Sequence, residues 1–209
     1  MDAPANRPFR LLGLSGSIRR GSNSTAVLRT LKESLPADVE LTILGLESIP
    51  LYNEDEDTDT PPAPVAVLRR AIAEADGLVV ITPEYNHGIS GVLKNALDWA
   101  SRPSDSAPLV NKPVTTMTSA SSILGGVRAQ AQLNETLHGT FSRLVPGRQV
   151  VIGNAKQKVK DGRLIDEATQ LFALNAIERL LDEICMVQRR PPRSSPEEAA
   201  RRAMAKGPR

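Results

Sequence analysis

The stretch GLVVIT (residues 77–82) decides the fold class, because four aliphatic side chains follow one another in it with no polar residue between them. A strand with this pattern is buried on both faces, as the central strands of parallel sheets are. Outward from it, β-branched and aliphatic runs alternate with helical patterns along most of the chain. This alternation is typical of βαβ units, so we predict an α/β protein with a parallel sheet.

The same alternation of apolar and helical patterns predicts the other strands of the sheet and the helices that cover it. Four further strands are predicted at residues 9–14, 39–44, 112–119 and between 141 and 152, the last interrupted by the Pro146-Gly147 turn. Helices are predicted at about residues 24–35, 65–75, 127–137 and 166–187, and in a segment that ends near Ser101, ahead of Pro103. Gly139 is predicted to cap the fourth helix, and residues 46–64 are predicted to form a long surface loop.

Composition limits the domain organisation. The 209 residues are 40% hydrophobic and 24% charged, which is typical of a globular protein. We expect one domain over residues 9–188 after a short N-terminal extension, residues 1–8. Residues 189–209 contain seven Lys or Arg and two Glu, so they carry +5 and the rest of the chain carries −3. Their proline-rich composition predicts a disordered basic tail, and contact of this tail with nucleic acid or acidic lipid is the less favoured alternative.

Several classes of protein are excluded at this stage. No apolar run approaches the roughly 20 residues that cross a bilayer, and residues 1–8 lack the apolar segment of a secretory signal. The single Cys185 makes no internal disulfide and has no neighbouring zinc ligands. Aromatic residues are only 3% of the chain, which argues against a stacking surface for nucleic acid. We therefore expect a cytoplasmic protein without membrane, metal or nucleic-acid partners.

The loop after the first strand is suited to a phosphate group. It reads SGSIRRGSNS (residues 15–24) and leads straight into a helix. Backbone N–H groups at the helix start, the hydroxyls of Ser17, Ser22 and Ser24, and the guanidinium of Arg19 together suit a dianion. Neither a Walker A motif nor G-x-G-x-x-G is present, which favours a mononucleotide. The alternative is a Ser- and Asn-rich helix cap with incidental arginines.

Two more loops are expected at the same edge of the sheet, because the carboxyl ends of parallel strands meet there. The loop after the third strand reads TPEYNHGISG (residues 82–91), and in it Tyr85 and Asn86 are placed to bound a flat heterocycle. The loop after the fourth strand reads SASSILGG (residues 119–126), with small residues that let the backbone approach the ring from its other side. Either loop alone would pass for an ordinary turn, so the prediction rests on their combination.

Together these loops resemble the NADPH-dependent FMN reductase family, which includes quinone, chromate and azo-dye reductases of flavodoxin-like fold. The resemblance spans about residues 9–187 and is strongest in GSIRRGS (16–22) and in TPEYN (82–86), followed by LKNA (93–96) and DW (98–99). It implies a three-layer αβα sandwich whose five parallel strands have the order 2-1-3-4-5. It also implies FMN as cofactor, NADPH or NADH as hydride donor, and a homodimer or homotetramer.

The resemblance assigns residues as well. The first loop would hold the FMN phosphate, the second the isoalloxazine, and residues 119–126 the far edge of the ring. The candidate cofactor-binding residues are Ser15, Ser17, Arg19, Ser22, Asn23, Ser24, Pro83, Glu84, Tyr85, Asn86, Ser119, Ser121, Gly125 and Gly126. Many members have an aromatic residue and then Asn after the loop serine, whereas this chain has Asn23 and then Ser24, so either side chain is a candidate for the phosphate. No catalytic side chain is expected, because the flavin carries the hydride chemistry.

The expected function is that of an FMN-dependent NAD(P)H oxidoreductase, which passes two electrons by a ping-pong mechanism to a small acceptor. Quinone, azo, nitro and chromate-type compounds and free flavin are the acceptor classes. The alternatives are a flavodoxin-like electron carrier, an FMN-binding redox sensor with a protein partner, or a nucleotide-binding module without redox chemistry.

Two further features stay open at the sequence level. Leu93, Leu97 and Trp99 are expected in the core or near a subunit interface. The 2′-phosphate of NADPH has four candidate partners in the sequence, which are Arg19, Arg20, Arg102 and Arg128.

Overall fold

The computed structural model describes residues 7–104 and 106–189, so residues 1–6 and most of the predicted basic tail lie outside the described part. Parallel strands form the middle layer, and every predicted strand is present. In chain order the strands are β1 (Phe9–Ser15), β2 (Val39–Leu44), β3 (Gly77–Thr82), β4 (Pro113–Ser119), β5 (Arg143–Leu144), β6 (Val150–Ile152), β7 (Val159–Lys160) and β8 (Arg163–Leu164).

The sheet has the order β2-β1-β3-β4, and its fifth position is shared by β5 and β6, which both pair with β4. All of these pairings are parallel. The predicted order 2-1-3-4-5 is therefore confirmed, and so is the interruption of the last strand at Pro146-Gly147. This order is that of flavodoxin-like folds, in which the crevice lies at the carboxyl ends of the strands.

Helices cover both faces of the sheet. They are α1 (Asn23–Glu33), α2 (Ala63–Glu74), α3 (Gly91–Ala100), α4 (Val127–Gly139), α5 (Ala155–Lys158) and α6 (Glu167–Arg189). The apolar residues of α1 and α6 pack on one face of the sheet, and those of α2, α3 and α4 pack on the other. Alternate residues of β3 enter the two cores, since Leu78 and Val80 belong to one and Val79 and Ile81 to the other. The predicted three-layer αβα sandwich is confirmed.

The end of α4 differs from the prediction. Gly139 is the last residue of the helix and not its cap, and the left-handed residue is Phe141, with φ 58°. The N–H of Ser142 donates to the carbonyl of Leu137 at 3.0 Å, and the N–H of Phe141 donates to that of His138 at 3.0 Å. These bonds satisfy the last carbonyls of the helix in the way a Schellman ending does. The prediction was wrong because it relied on the preference for glycine and not on the hydrogen bonds available.

Trp99 lies in the core and fixes the long loop between β2 and α2. The ring is fully buried, and its Nε1–H donates to the carbonyl of Pro50 at 2.9 Å. Asn95 donates to the same carbonyl and accepts from the N–H of Tyr52, whose ring meets Trp99 edge-on at 4.9 Å. Leu93 and Leu97 are also buried. Leu93, Leu97 and Trp99 were expected either in the core or near a subunit interface, and in the structure all three lie in the core.

At the opposite end of the sheet, Asp76 joins three parts of the chain. Its carboxylate accepts two hydrogen bonds from the guanidinium of Arg7, at 2.6 and 2.8 Å, and one from the N–H of Arg10 at 2.8 Å. Gln188, near the end of α6, donates to it at 3.3 Å. Partial burial raises the pKa of this carboxyl, but the hydrogen bonds and positive charges outweigh burial and leave the pKa below its ordinary value.

We predict that Asp76→Asn lowers the free energy of unfolding at neutral pH and makes it less sensitive to acid. Because the folded-state pKa of Asp76 is lowered, its stabilising contribution is complete above its unfolded pKa of about 4 and is lost as pH falls through the folded value. Urea unfolding between about pH 7 and pH 3 measures this. Asp59→Asn, at an exposed loop carboxylate, is the matched control. Equal acid sensitivity of the Asp76 variant and the unmodified protein would contradict the prediction.

Candidate functional site

A cleft of about 620 Å³ opens at the carboxyl ends of β1, β3 and β4. We call it the loop cleft, because the loops that follow these three strands line it. Its volume lies within the roughly 300–1,000 Å³ of small-molecule and cofactor sites. The lining residues are Ser17, Arg19, Ser22, Asn23, Ser24, Pro83, Glu84, Tyr85, Ser119, Ala120, Ser121, Ser122 and Lys156.

The first loop brings the start of α1 to the cleft. Ser22 is the N-cap of α1, and its Oγ accepts from the N–H of Thr25 at 3.1 Å, so the hydroxyl hydrogen stays available to a ligand. The first N–H groups of a helix have no acceptor within the helix, which leaves those of Asn23 and Ser24 for an anion. The first turn of α1 contains no acidic residue. The capping role and the phosphate role, which were alternatives at the sequence level, are thus compatible here.

Gly16 lets the first and second loops touch. Its N–H donates to the carbonyl of Ile81 at 2.8 Å. A Cβ at this position would lie 2.6 Å from Thr82 Oγ1 and 3.0 Å from Ser90 Oγ. A side chain larger than hydrogen would therefore push the serine-rich loop away from β3.

The second loop contains a tight turn. Tyr85 and Gly88 exchange two backbone hydrogen bonds, at 2.9 and 3.0 Å. The two residues between them, Asn86 and His87, are both left-handed, with φ 49° and 67°. This is the geometry of a type I′ turn. It turns Tyr85 outward, where its side chain is 53% exposed beside the cleft.

Helix α4 holds this second loop at both ends. The Glu84 carboxylate accepts from the N–H groups of Arg128 and Ala129, each at 3.0 Å, in the first turn of α4. Four residues further along the helix, Gln132 Oε1 accepts from the N–H of Ile89 at 2.7 Å. A carboxylate at a helix N-terminus is favoured by the helix dipole. The second and third loops are therefore joined by side chains and do not merely lie next to each other.

The glycines of the third loop are required by packing. Gly125 and Gly126 are left-handed, with φ 63° and 97°. A Cβ at Gly125 would come within 2.7 Å of the backbone nitrogen of Gly153, and one at Gly126 within 3.1 Å of Thr118 Cβ. Both glycines let the loop descend onto neighbouring backbone, and neither lines the cleft. Their predicted contact with a ring edge stays a prediction.

Ser119 is the most informative polar group in the cleft. It is 3% exposed, and among the described residues its hydroxyl has no hydrogen-bond partner. An unpartnered buried hydroxyl costs free energy unless a ligand or water completes it. The cleft therefore combines an anion-binding helix start with an unsatisfied hydroxyl at the carboxyl end of β4.

A family model for NADPH-dependent FMN reductases matches residues 9–157. The chain belongs to this family. A quinone reductase of Escherichia coli is 38% identical over 165 residues, which cover 77% of this chain and 87% of the relative. An NAD(P)H-dependent FMN reductase of Pseudomonas aeruginosa is 37% identical over 173 residues, 82% of this chain and 93% of the relative.

A solved structure gives the same relationship. The flavoenzyme NAD(P)H:(acceptor) oxidoreductase of Paracoccus denitrificans has a TM-score of 0.71 and 30% identity. The match covers 83% of this chain and 96% of that one. The protein is accordingly an NAD(P)H-dependent oxidoreductase of the FMN reductase family, with FMN and a reduced nicotinamide as its cofactors.

The residues present in the loop cleft fit FMN. The start of α1 and Arg19 match the charge of its phosphate, and the unpartnered Ser119 hydroxyl matches a polar group of the ligand deeper in the cleft. Among the described residues, no group of three or more His, Cys, Asp or Glu side chains is arranged to hold a metal ion. No described helix is long and apolar enough to cross a membrane.

The predicted site residues are brought together with four exceptions, which do not line the loop cleft: Ser15, Asn86, Gly125 and Gly126. Ser15 Oγ is instead hydrogen-bonded to Thr25 Oγ1 at 2.9 Å. Sequence reasoning missed Lys156, on α5, which lines the cleft. It reaches the cleft because Asn154 and Ala155 donate backbone hydrogen bonds to Ser122 and Ala120. No local sequence motif around Lys156 predicts that it lines the cleft.

We predict that Glu84→Ala lowers the free energy of unfolding by about 0.5–2 kcal/mol, the range for loss of a helix N-cap, because it removes the acceptor of two N–H groups. Glu84→Gln replaces the carboxylate by an amide, whose oxygen can still accept from these N–H groups, so this variant should lose less stability. Urea unfolding of both variants measures the difference. Asp98→Ala is the control, since it breaks only the exposed pair with Lys94. Equal stability of the alanine variant and the unmodified protein would show that Glu84 does not join the loops in solution.

Proposed function

We propose that the protein reduces small quinone-type acceptors with electrons from NADPH or NADH, in two-electron steps and with ping-pong kinetics. Azo, nitro and chromate-type compounds and free flavin are further acceptors of the same class of enzyme. The observation that carries the proposal is the loop cleft itself, which offers an anion-binding helix start, a cationic Arg19 and an unpartnered Ser119 hydroxyl in one open space. The name of the Escherichia coli relative, a quinone reductase, supports the quinone class.

The proposed cofactor contacts follow from the cleft. Ser17, Arg19, Ser22 and the start of α1 would hold the FMN phosphate. Pro83 to Tyr85 and Ser119 to Ser122 would bound the rest of the cofactor. When bound, FMN supplies two-electron storage between a hydride donor and an acceptor. The side chains of the cleft would then bind and orient the cofactor and shield it from water. The hydride donor and the acceptor would occupy the same open cleft one after the other.

Hydride transfer to and from a flavin needs no protein acid or base, because the cofactor carries that chemistry. The Glu84 carboxylate accepts two backbone N–H groups, and the Asp98 carboxylate on α3 is paired with Lys94. Glu84 is therefore a positioning residue, and its carboxylate fixes the distance between two loops. A cytoplasmic location stays a prediction.

We propose a homodimer or homotetramer in which subunits meet near the cleft rim. Tyr85, Ile123, Leu124 and Val127 are large exposed side chains close to this rim, with Ile123 80% exposed. A second subunit would shield them from water. Light scattering at micromolar concentration would return two or four times the chain mass, and a fully active monomer would contradict the assembly.

The function is tested by spectroscopy and kinetics of the purified protein. We expect the absorbance bands of oxidised flavin, their rapid bleaching by NADPH or NADH without oxygen, and their return on addition of a benzoquinone. Initial rates with both substrates varied should give parallel reciprocal plots, the pattern of a ping-pong reaction. If NADPH and NADH both reduced the flavin much more slowly than the enzyme turns over, the proposal would be contradicted. That result would favour an electron carrier.

We predict that Arg19→Ala weakens FMN binding by roughly tenfold to hundredfold, since it removes a charged hydrogen bond worth about 1.5–3 kcal/mol. Fluorescence titration of the apoprotein with FMN measures the dissociation constant. Arg70→Ala, which removes the same charge from an exposed position on α2, is the control. An unchanged constant for the Arg19 variant would remove this residue from the phosphate site.

A further inference from the structure

A second cleft lies on the other side of the first loop, at the carboxyl ends of β1 and β2. It has a volume of about 450 Å³, and we call it the β2 cleft. Ser17 and Arg19 line both clefts, so the two spaces adjoin around the same loop. A ligand long enough to pass Arg19 would occupy both.

The β2 cleft contains an excess of positive charge. Three arginines line it, Arg19, Arg20 and Arg29, and the only acidic residue among its lining residues is Glu47. Within the described part of the chain, none of the three has a carboxylate oxygen within 4.0 Å of its guanidinium nitrogens, so their charges are free to bind a ligand. Unpaired guanidinium groups around one cavity are the arrangement that binds a phosphate dianion.

Glu47 adds a second element of recognition. Its carboxylate lies over Gly45, the first residue after β2, where a Cβ would come within 2.8 Å of Glu47 Oε1. In dinucleotide-binding folds an acidic residue beyond an early strand binds the ribose 2′-hydroxyl of NAD, whereas an arginine near the same place accommodates the 2′-phosphate of NADP. Three arginines against one glutamate in the β2 cleft favour the phosphate. The β2 cleft contains both kinds of group, although the chain lacks the glycine fingerprint of those folds.

We propose that the β2 cleft binds the adenosine 2′-phosphate end of NADPH and makes the enzyme prefer NADPH to NADH. Arg20 and Arg29 pair with the 2′-phosphate, and Glu47 accepts a hydrogen bond from the free ribose hydroxyl. Arg19 stays on the side of the loop cleft, between the two phosphate sites. The inference rests on the proposed function, because it assumes that the nicotinamide end of the same molecule reaches the loop cleft.

Of the four candidate arginines of the sequence, Arg19 and Arg20 line the β2 cleft, and the structure adds Arg29, which the sequence did not suggest. Arg102 hydrogen-bonds Ser104 in the loop after α3, and Arg128 lies in the first turn of α4. Neither lines the β2 cleft. Arg29 was missed because it lies on α1, well beyond the phosphate-like loop motif.

The first test is a binding experiment that needs no turnover. Isothermal titration of the FMN-loaded protein compares adenosine 2′,5′-bisphosphate, AMP and inorganic phosphate. We expect the bisphosphate to bind about tenfold or more tightly than the other two, and the Arg20→Ala/Arg29→Ala double variant to lose this advantage. Arg70→Ala is the control and should bind as the unmodified protein does. Equal affinity for the bisphosphate and AMP, or tight binding of inorganic phosphate alone, would overturn the assignment.

The second test separates this inference from the proposed function. In steady state we expect the double variant to lose about tenfold or more in kcat/KM for NADPH, through KM, while kcat/KM for NADH and the flavin spectrum stay unchanged. An equal loss for both nicotinamides, or no loss for NADPH, would overturn the 2′-phosphate site and leave the reductase intact. If neither nicotinamide reduced the flavin, the proposed function would fail, and with it this inference, whatever the titration gave.

Discussion

The hydrogen bonds between the Glu84 carboxylate and the first turn of α4 determine the shape of the loop cleft. They join the loop after β3 to the helix that follows β4, and the Gln132–Ile89 bond repeats the connection at the other end of the loop. Hydrogen bonds to an ionised acceptor are roughly twice as strong as neutral ones. A cofactor site made of backbone and small side chains depends on such fixed spacing, since it has few long side chains that adapt.

Charge is distributed around the site in a simple way. The loop after β1 carries Arg19 and Arg20 at its tip, and α1 adds the partial positive charge of its first turn together with Arg29. Lys156 adds a further cation on the far wall of the loop cleft. The residues proposed to touch phosphates thus lie around one loop, although the described body of the chain carries no such excess of positive charge overall.

Much of this architecture follows from the sequence, for reasons that particular residues make clear. The uninterrupted aliphatic run of β3 requires burial on both faces, so the parallel sheet and its helical layers could be predicted. Ser22 and Arg19 could be assigned to the cleft because their role depends on neighbours close in sequence. The Glu84–α4 bonds, Lys156 and Arg29 depend on residues far apart in the chain, which single-sequence patterns do not report. The β7–β8 hairpin was missed because two-residue strands carry no periodicity, although Thr30 on α1 anchors it through the N–H of Leu164.

The division of the last sheet position into two short strands has a consequence for how the protein meets other chains. β5 and β6 span only two and three residues, and the Pro146-Gly147 turn between them breaks the row of free backbone groups along that margin. At the opposite margin β2 carries the exposed Glu40. Short, interrupted or charged edge strands resist pairing with a foreign strand. Neither edge of the sheet therefore favours pairing with a further strand, which protects the protein against edge-to-edge aggregation. Specific contacts with other chains are left to its helices and loops.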